Sequence, residues 1–113
     1  MVKIEAIIRQ NKLEDVQEAL TELHVSGMTV VDVRGMGRQK GITHTYRGNQ
    51  YTLSLTPKVM LMLVVLDSEA AAIVSAIQSA ASTGEVGDGK IFVTKVDQAV
   101  RIRTDERGDV VLQ

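Results

Sequence analysis

The sequence predicts an α+β fold in the order βαββαβ, with four antiparallel strands in one sheet and two helices packed on one of its faces. Three observations carry that prediction. Apolar and polar residues alternate near the N-terminus. Two stretches carry apolar residues at helical spacing, each set between strand-like segments. The run KVMLMLVVL, Lys58 to Leu66, is almost continuously apolar, as a strand covered on both faces would be.

VKIEAII, Val2 to Ile8, alternates for most of its length and reads as a half-buried strand. Asn11 with Glu14 resembles a capping box; Leu13, Val16, Leu20 and Leu23 then share a helical face, with Gly27 as the expected stop. Thr29 to Val33 is rich in β-branched residues and forms the second strand. Lys58 to Leu66 is the third. Asp67-Ser68 is the expected N-cap of a second helix, whose Ala70, Ile73, Ile77, Ala80 and Ala81 share a face before Gly84. Ile91 to Val96 is the fourth strand, and Ala99 to Arg103 a short charged extension. This is the order of the ferredoxin-like split unit. Helices on one face leave the other open, yet the third strand is apolar on both sides. An uncovered face of that kind predicts a homo-oligomer that packs those faces together.

At 113 residues the chain is expected to form a single domain over 1–113 with one core. A net charge of −1 argues against a general nucleic-acid binder, which would show a basic excess. The absence of cysteine excludes a disulfide framework, a thiolate metal site and a cysteine nucleophile, and suits the cytosol. The apolar run in MVKIEAIIRQ is too short for a signal peptide, and no apolar stretch is long enough to span a bilayer. With only Tyr46, Tyr51 and Phe92 as aromatics, the core must be aliphatic. His24 and His44 read as a helix-end and a loop histidine, since neither has a partner at metal-ligand spacing; Met60 and Met62 read as core filler.

The connection from about Gly35 to Leu55 is anomalous, because a structureless loop of about 20 residues in a compact domain is usually functional or disordered. The second anomaly is TGEVGDGKIF, Thr83 to Phe92. Gly84, four residues, then Gly89-Lys90 fits most of a P-loop, but Ile91 stands where Ser or Thr should hold magnesium, and a strand follows instead of a helix. Gly87, Asp88 and Gly89 could instead form a nest of converging N–H groups, with Lys90 adding a point charge. Arg101 and Arg103, two apart, would present both guanidinium groups on one side of an extended chain, and Arg38 lies at the base of the long loop. The plainer alternative pairs Arg101 and Arg103 with Asp97, Asp105 or Glu106 on a solvated edge.

GMGRQKG (Gly35 to Gly41), YRGNQY (Tyr46 to Tyr51), TPKV (Thr56 to Val59), TGEVGDGKIFV (Thr83 to Val93) and VRIRT (Val100 to Thr104) occur together and in order. Over nearly its whole length the chain resembles the PII signal-transduction proteins of nitrogen metabolism. That resemblance implies a cytoplasmic trimer, peripheral at the membrane when bound to a transporter, with ATP or ADP in clefts between subunits. It makes residues about 36–55 the T-loop, about 82–90 the B-loop and about 101–113 the C-terminal segment. It implies that Gly87, Asp88, Gly89, Lys90 and Arg38 hold phosphates, with Arg101 and Arg103 reaching in from a neighbouring subunit. Gly35, Gly37 and Thr29 would place the nucleotide, and Ile7 and Val64 would touch the base. 2-Oxoglutarate would bind beside Mg²⁺ and ATP, with Gln39 as metal ligand and Lys58, Arg9, Gly41 and Gly87 around the keto acid.

The T-loop would dock on a membrane transporter or metabolic enzyme, and Tyr51 would be the residue a nucleotidyltransferase uridylylates, or a plain exposed tyrosine. The chain departs from the family pattern at RQNKL (Arg9 to Leu13), where KPFKL is usual, at Thr56, and at Met62, where an acidic residue is usual. Those departures bear on the keto acid more than on the nucleotide. They support a second reading, an adenylate-only sensor that ignores 2-oxoglutarate and regulates a different transporter. An ATPase or acyl-phosphate hydrolase ranks lower, because no nucleophile–base constellation is visible; at most weak ATPase activity is expected. An RNA-binding module would need sheet aromatics, and Phe92 is the only strand aromatic.

Overall fold

The computed structural model describes residues 1–36, the strand backbone of 42–46 and 49–53, and residues 55–113. Strand β1 (Val2–Ile8) lies in the interior of a sheet, antiparallel to β5 (Leu55–Val65) on one side and β6 (Gly89–Lys95) on the other. β2 (Thr29–Met36) pairs with the outer side of β5, so the order is β2-β5-β1-β6. Helices α1 (Leu13–Glu22) and α2 (Asp67–Ala81) supply the two remaining elements of the predicted βαββαβ unit.

The apolar run of β5 resolves into two faces. Val59, Leu61, Leu63 and Val65 are buried against Ile4, Ala6 and Ile8 of β1 and beneath Val16 and Leu20 of α1 and Ile73, Ile77 and Ala81 of α2. Cross-strand partners share a face: Ile4 stands opposite Leu63, and Ala6 opposite Leu61. The alternate residues point to the face without helices. There Met60, Met62, Val64 and Ile7 are half-buried, while Val31 and Phe92 are exposed. Met60 and Met62 are therefore not core filler, because strand parity turns both away from the helices. The open face carries these apolar residues beside Lys3, Glu5, Lys58 and Lys90.

Several boundaries differ from expectation. A 3-10 turn over Gln10–Lys12 precedes α1, whose N-cap is Lys12 with no capping side chain, so Asn11 forms no capping box. Glu14 and Asp15 in the first turn complement the helix dipole instead. α1 ends at Glu22 with Leu23 as its C-cap, and the closing left-handed residue is His24, not Gly27. His24 has φ 60°, its N–H donates to the Thr21 carbonyl at 2.9 Å, and the Val25 N–H donates to the Leu20 carbonyl at 3.1 Å. This double closure, with Leu20 in the core and Val25 packed against it, outweighs the preference for glycine at the left-handed position. The N-cap of α2 is Leu66; Asp67 is already helical, and its carboxylate pairs with the Met1 ammonium at 3.0 Å.

The long connection is not structureless. β3 (Ile42–Tyr46) and β4 (Asn49–Leu53) form a separate antiparallel ribbon, with His44 opposite Tyr51. β2 runs on to Met36, and β5 begins at Leu55. At the other end of the chain, Arg101 to Asp105 form a turn with Asp105 at φ 60°, and Gly108–Leu112 form a 3-10 turn. The expected extended chain through Arg101 and Arg103 is thus replaced by a turn.

Gly89 is required where β6 starts: its φ is 107°, and a Cβ there would lie 1.7 Å from the Ile7 carbonyl oxygen. Gly89→Ala is expected to destabilise the protein by more than about 2 kcal/mol in a denaturant titration at fixed protein concentration. His24→Gly should instead stabilise it by up to about 1 kcal/mol, by relieving the left-handed strain. A neutral Gly89→Ala would show that the β1–β6 register is wrong there.

Candidate functional site

Sheet parity gathers the sequence-predicted residues. Lys90 stands opposite Ile7, Ile7 opposite Met60, Thr29 opposite Met62, Val33 opposite Lys58 and Gly35 opposite Thr56. Ile7, Thr29, Gly35, Lys58, Val64 and Lys90 consequently all lie on the helix-free face. At one end of that face the loop between α2 and β6 folds over the β1 terminus.

That loop is built around one carboxylate. Asp88 accepts from the Thr83 N–H at 2.8 Å, the Thr83 hydroxyl at 2.5 Å, the Gly84 N–H at 3.0 Å and the Arg9 Nε at 3.2 Å. Hydrogen bonds from the Thr83 hydroxyl and N–H, then from Arg9 and Gly84, hold the Asp88 carboxyl well below the usual carboxylate range. The side chain of Asp88 is thus an internal anchor, and the nest expected from the sequence concerns only its backbone N–H. Gly87 at φ 103° and Gly89 at φ 107° flank it with the conformational freedom the nest reading requires.

Two cations brace the loop from beneath. Arg9 also donates from Nη2 to the Val86 carbonyl at 2.9 Å, and Lys58 Nζ donates to the Gly87 carbonyl at 2.5 Å. Lys58 is the buried charged residue of the described core, and among the described residues no carboxylate lies within ion-pair distance of it. Burial, followed by the Arg9 charge, pushes its ammonium pKa down, with Asp88 opposing. An ammonium has three donors, so a buried one resting on one carbonyl is poised to receive an anion. Arg9, Gln10, Asn11, Thr56, Pro57 and Lys58 line a shallow pocket of about 250 Å³ beside it. Further along, Thr29, Met62 and Val64 border a hollow of about 540 Å³ that the C-terminal Val111 to Gln113 also line.

Arg101 does not join this group within the chain. It pairs with Glu106 at 2.5 Å and donates to the carbonyls of Val110 and Gln113 at 3.3 and 3.2 Å. The Thr104 hydroxyl and Arg101 hold Glu106 below its ordinary pKa. For Arg101 the edge-pairing alternative describes the single chain; Arg103 is exposed and has no ion-pair partner among the described residues. Gly37, Arg38, Gln39 and Gly41 lie outside the described residues, as does the side chain of Tyr51. Sequence reasoning missed Thr83, whose hydroxyl–glycine pairing before an aspartate is an ordinary turn signal. It also missed the Val86 and Gly87 carbonyls, which no residue pattern announces.

A family description of nitrogen regulatory protein P-II matches residues 1–106. The chain belongs to the P-II family. It is 51% identical over 108 residues to nitrogen regulatory protein P-II of Rhizobium meliloti, covering 96% of each chain. Over 108 residues it is 53% identical to the protein of that name from Azospirillum brasilense, again covering 96% of each chain. It is 51% identical to nitrogen regulatory protein P-II 2 of Methanothermobacter thermautotrophicus, covering 96% of this chain and 94% of that one. This P-II chain is accordingly a regulator, and among its described residues no helix is long and apolar enough to cross a membrane.

Because the folded-state pKa of Asp88 is depressed, its contribution to loop stability is fully present above the ordinary carboxylate range and fades as pH falls below about 4. Asp88→Asn should lower the melting temperature by an amount constant above about pH 5 and shrinking below about pH 4. A melting difference that grew toward acid pH would mean that the carboxylate is not the anchor.

Proposed function

We propose that this P-II protein senses adenylate nucleotides, binding ATP or ADP phosphates on the B-loop nest in clefts between the subunits of a homotrimer. The observation that carries the reading is the buried Lys58 ammonium, resting on the Gly87 carbonyl beneath two positive-φ glycines. Peptide N–H groups and a desolvated cation suit a polyphosphate, and the exposed Lys90 and Arg103 add charge at the rim. Among the described residues no group of three His, Cys, Asp or Glu could hold a metal alone. In this reading Mg²⁺ arrives on the ATP phosphates, with Gln39 adding a neutral oxygen. Ile7, Val64 and Thr29, on the same face, would meet the base and its surroundings. The trimer would cover the apolar open face and bring Arg103, with Arg101 once released from Glu106, to a neighbour's phosphates.

In this reading 2-oxoglutarate binds beside Mg·ATP near Lys58, and occupancy sets the T-loop, whose ribbon docks on a membrane transporter or metabolic enzyme in the cytoplasm. Tyr51, near the ribbon's middle, is then the position open to a nucleotidyltransferase. The adenylate-only reading has its own support: Lys58 and Arg9 each already donate to a loop carbonyl, so a keto acid would meet only their remaining N–H groups.

Calorimetric titration with ATP, with ADP, and with 2-oxoglutarate added to Mg·ATP separates the readings. Binding of all three supports the full sensor, and nucleotide binding alone supports the adenylate sensor. A protein that is monomeric, or that takes up neither nucleotide at millimolar concentration, contradicts both. Arg103→Ala, which breaks no ion pair among the described residues, should weaken ATP and ADP about equally, by about tenfold or more for one lost charge-assisted contact.

A further inference from the structure

Arg9 follows the last residue of β1, and Ile8 before it is the register partner of Gly89. Its guanidinium therefore emerges directly under the B-loop. It is 27% exposed, with one arm on the Val86 carbonyl at 2.9 Å and Nε on Asp88 Oδ1 at 3.2 Å. These two contacts have a consequence for the opposite side of the loop. A trans peptide is planar, so its N–H points away from its own C=O. Fixing the Val86 carbonyl on Arg9 fixes the Gly87 N–H in the opposite direction, away from the guanidinium. Gly87 then takes φ 103°, and the next carbonyl is fixed on Lys58, which aims the Asp88 N–H in the same manner. A cation on each carbonyl also polarises the peptide and makes its N–H a better donor.

We propose that Arg9 is a positioning residue for the phosphate nest, acting through the Val86–Gly87 peptide and not by touching a ligand. The inference rests on the nucleotide reading above and assigns Arg9 a role other than the keto-acid contact its resemblance implies. A keto acid bound by Arg9 would have only the N–H groups that Val86 and Asp88 leave free. The geometry also explains why arginine suits the position: its planar fork spans a carbonyl and a carboxylate together, which a lysine's single nitrogen does less well.

The test compares wild type, Arg9→Lys and Arg9→Met in the full-length protein by two measurements. The first is ADP affinity by calorimetry, with 2-oxoglutarate added to Mg·ATP as a parallel arm. The second is the ¹⁵N resonance of Gly87 without ligand, which responds to hydrogen bonding at the preceding carbonyl. Arg9→Met should weaken ADP about tenfold and shift Gly87, while amides of Ile4 and Leu61 in the sheet stay in place; Arg9→Lys should fall between. ADP affinity within twofold of wild type in Arg9→Met, including the case in which only 2-oxoglutarate binding is lost, overturns the proposal. If wild type takes up no ADP, the nucleotide reading is what fails. The Gly87 resonance then decides the clamp alone: an unmoved signal in Arg9→Met overturns it, and a shifted one supports it.

Discussion

Four donors converge on the Asp88 carboxylate, and the candidate site depends on that convergence. Two of them are backbone N–H groups, from Thr83 and Gly84, which close the turn after α2 without secondary structure. A third comes from Arg9, on the far side of the sheet end, and ties the turn to β1. With the loop closed in this way, the Val86 and Gly87 carbonyls fall onto Arg9 and Lys58, and Gly89 is pressed against the Ile7 carbonyl. Side chains with formal charge do the bracing, and the backbone is left for the phosphates proposed to bind there.

The bracing is placed where two parts of the chain meet. Lys58 sits near the start of β5, opposite Val33, and Thr56 is opposite Gly35, so the stem of the β3–β4 ribbon emerges beside the buried ammonium. Beyond Lys58 the same strand turns Met60, Met62 and Val64 to the open face. One strand thus links the ribbon proposed to reach partners, the cation proposed to feel the ligand and the surface proposed to meet neighbouring subunits. A change in what Lys58 contacts would be felt first at the ribbon's base, since Val33 and Gly35 are its cross-strand neighbours.

The fold was legible because its periodicities are strong. VKIEAII alternates, and the α1 and α2 residues that proved buried are those with helical spacing. The buried half of KVMLMLVVL was hidden only in parity, since both faces of β5 are apolar. Helix ends were less legible: His24 adopts the left-handed position for tertiary reasons, with Val25 closing onto Leu20. The β3–β4 ribbon escaped notice because ITHTY and NQYTL lack the aliphatic pattern of a strand packed on a core. At the site, residue types pointed to glycines at special backbone angles, which Gly87 and Gly89 adopt, whereas Lys58 was singled out only by the family resemblance. They did not reveal that Asp88 points inward, because an anchoring carboxylate and a ligand-facing one look identical in sequence.

The measurement that tests this account most directly is a residue-resolved amide perturbation map on addition of ADP. The account predicts its largest changes at Gly87, Asp88, Gly89 and Lys90, with smaller ones at Thr29 and Val64 across the open face. Changes confined to the outer surface of α1, or none at saturating ADP, would contradict it.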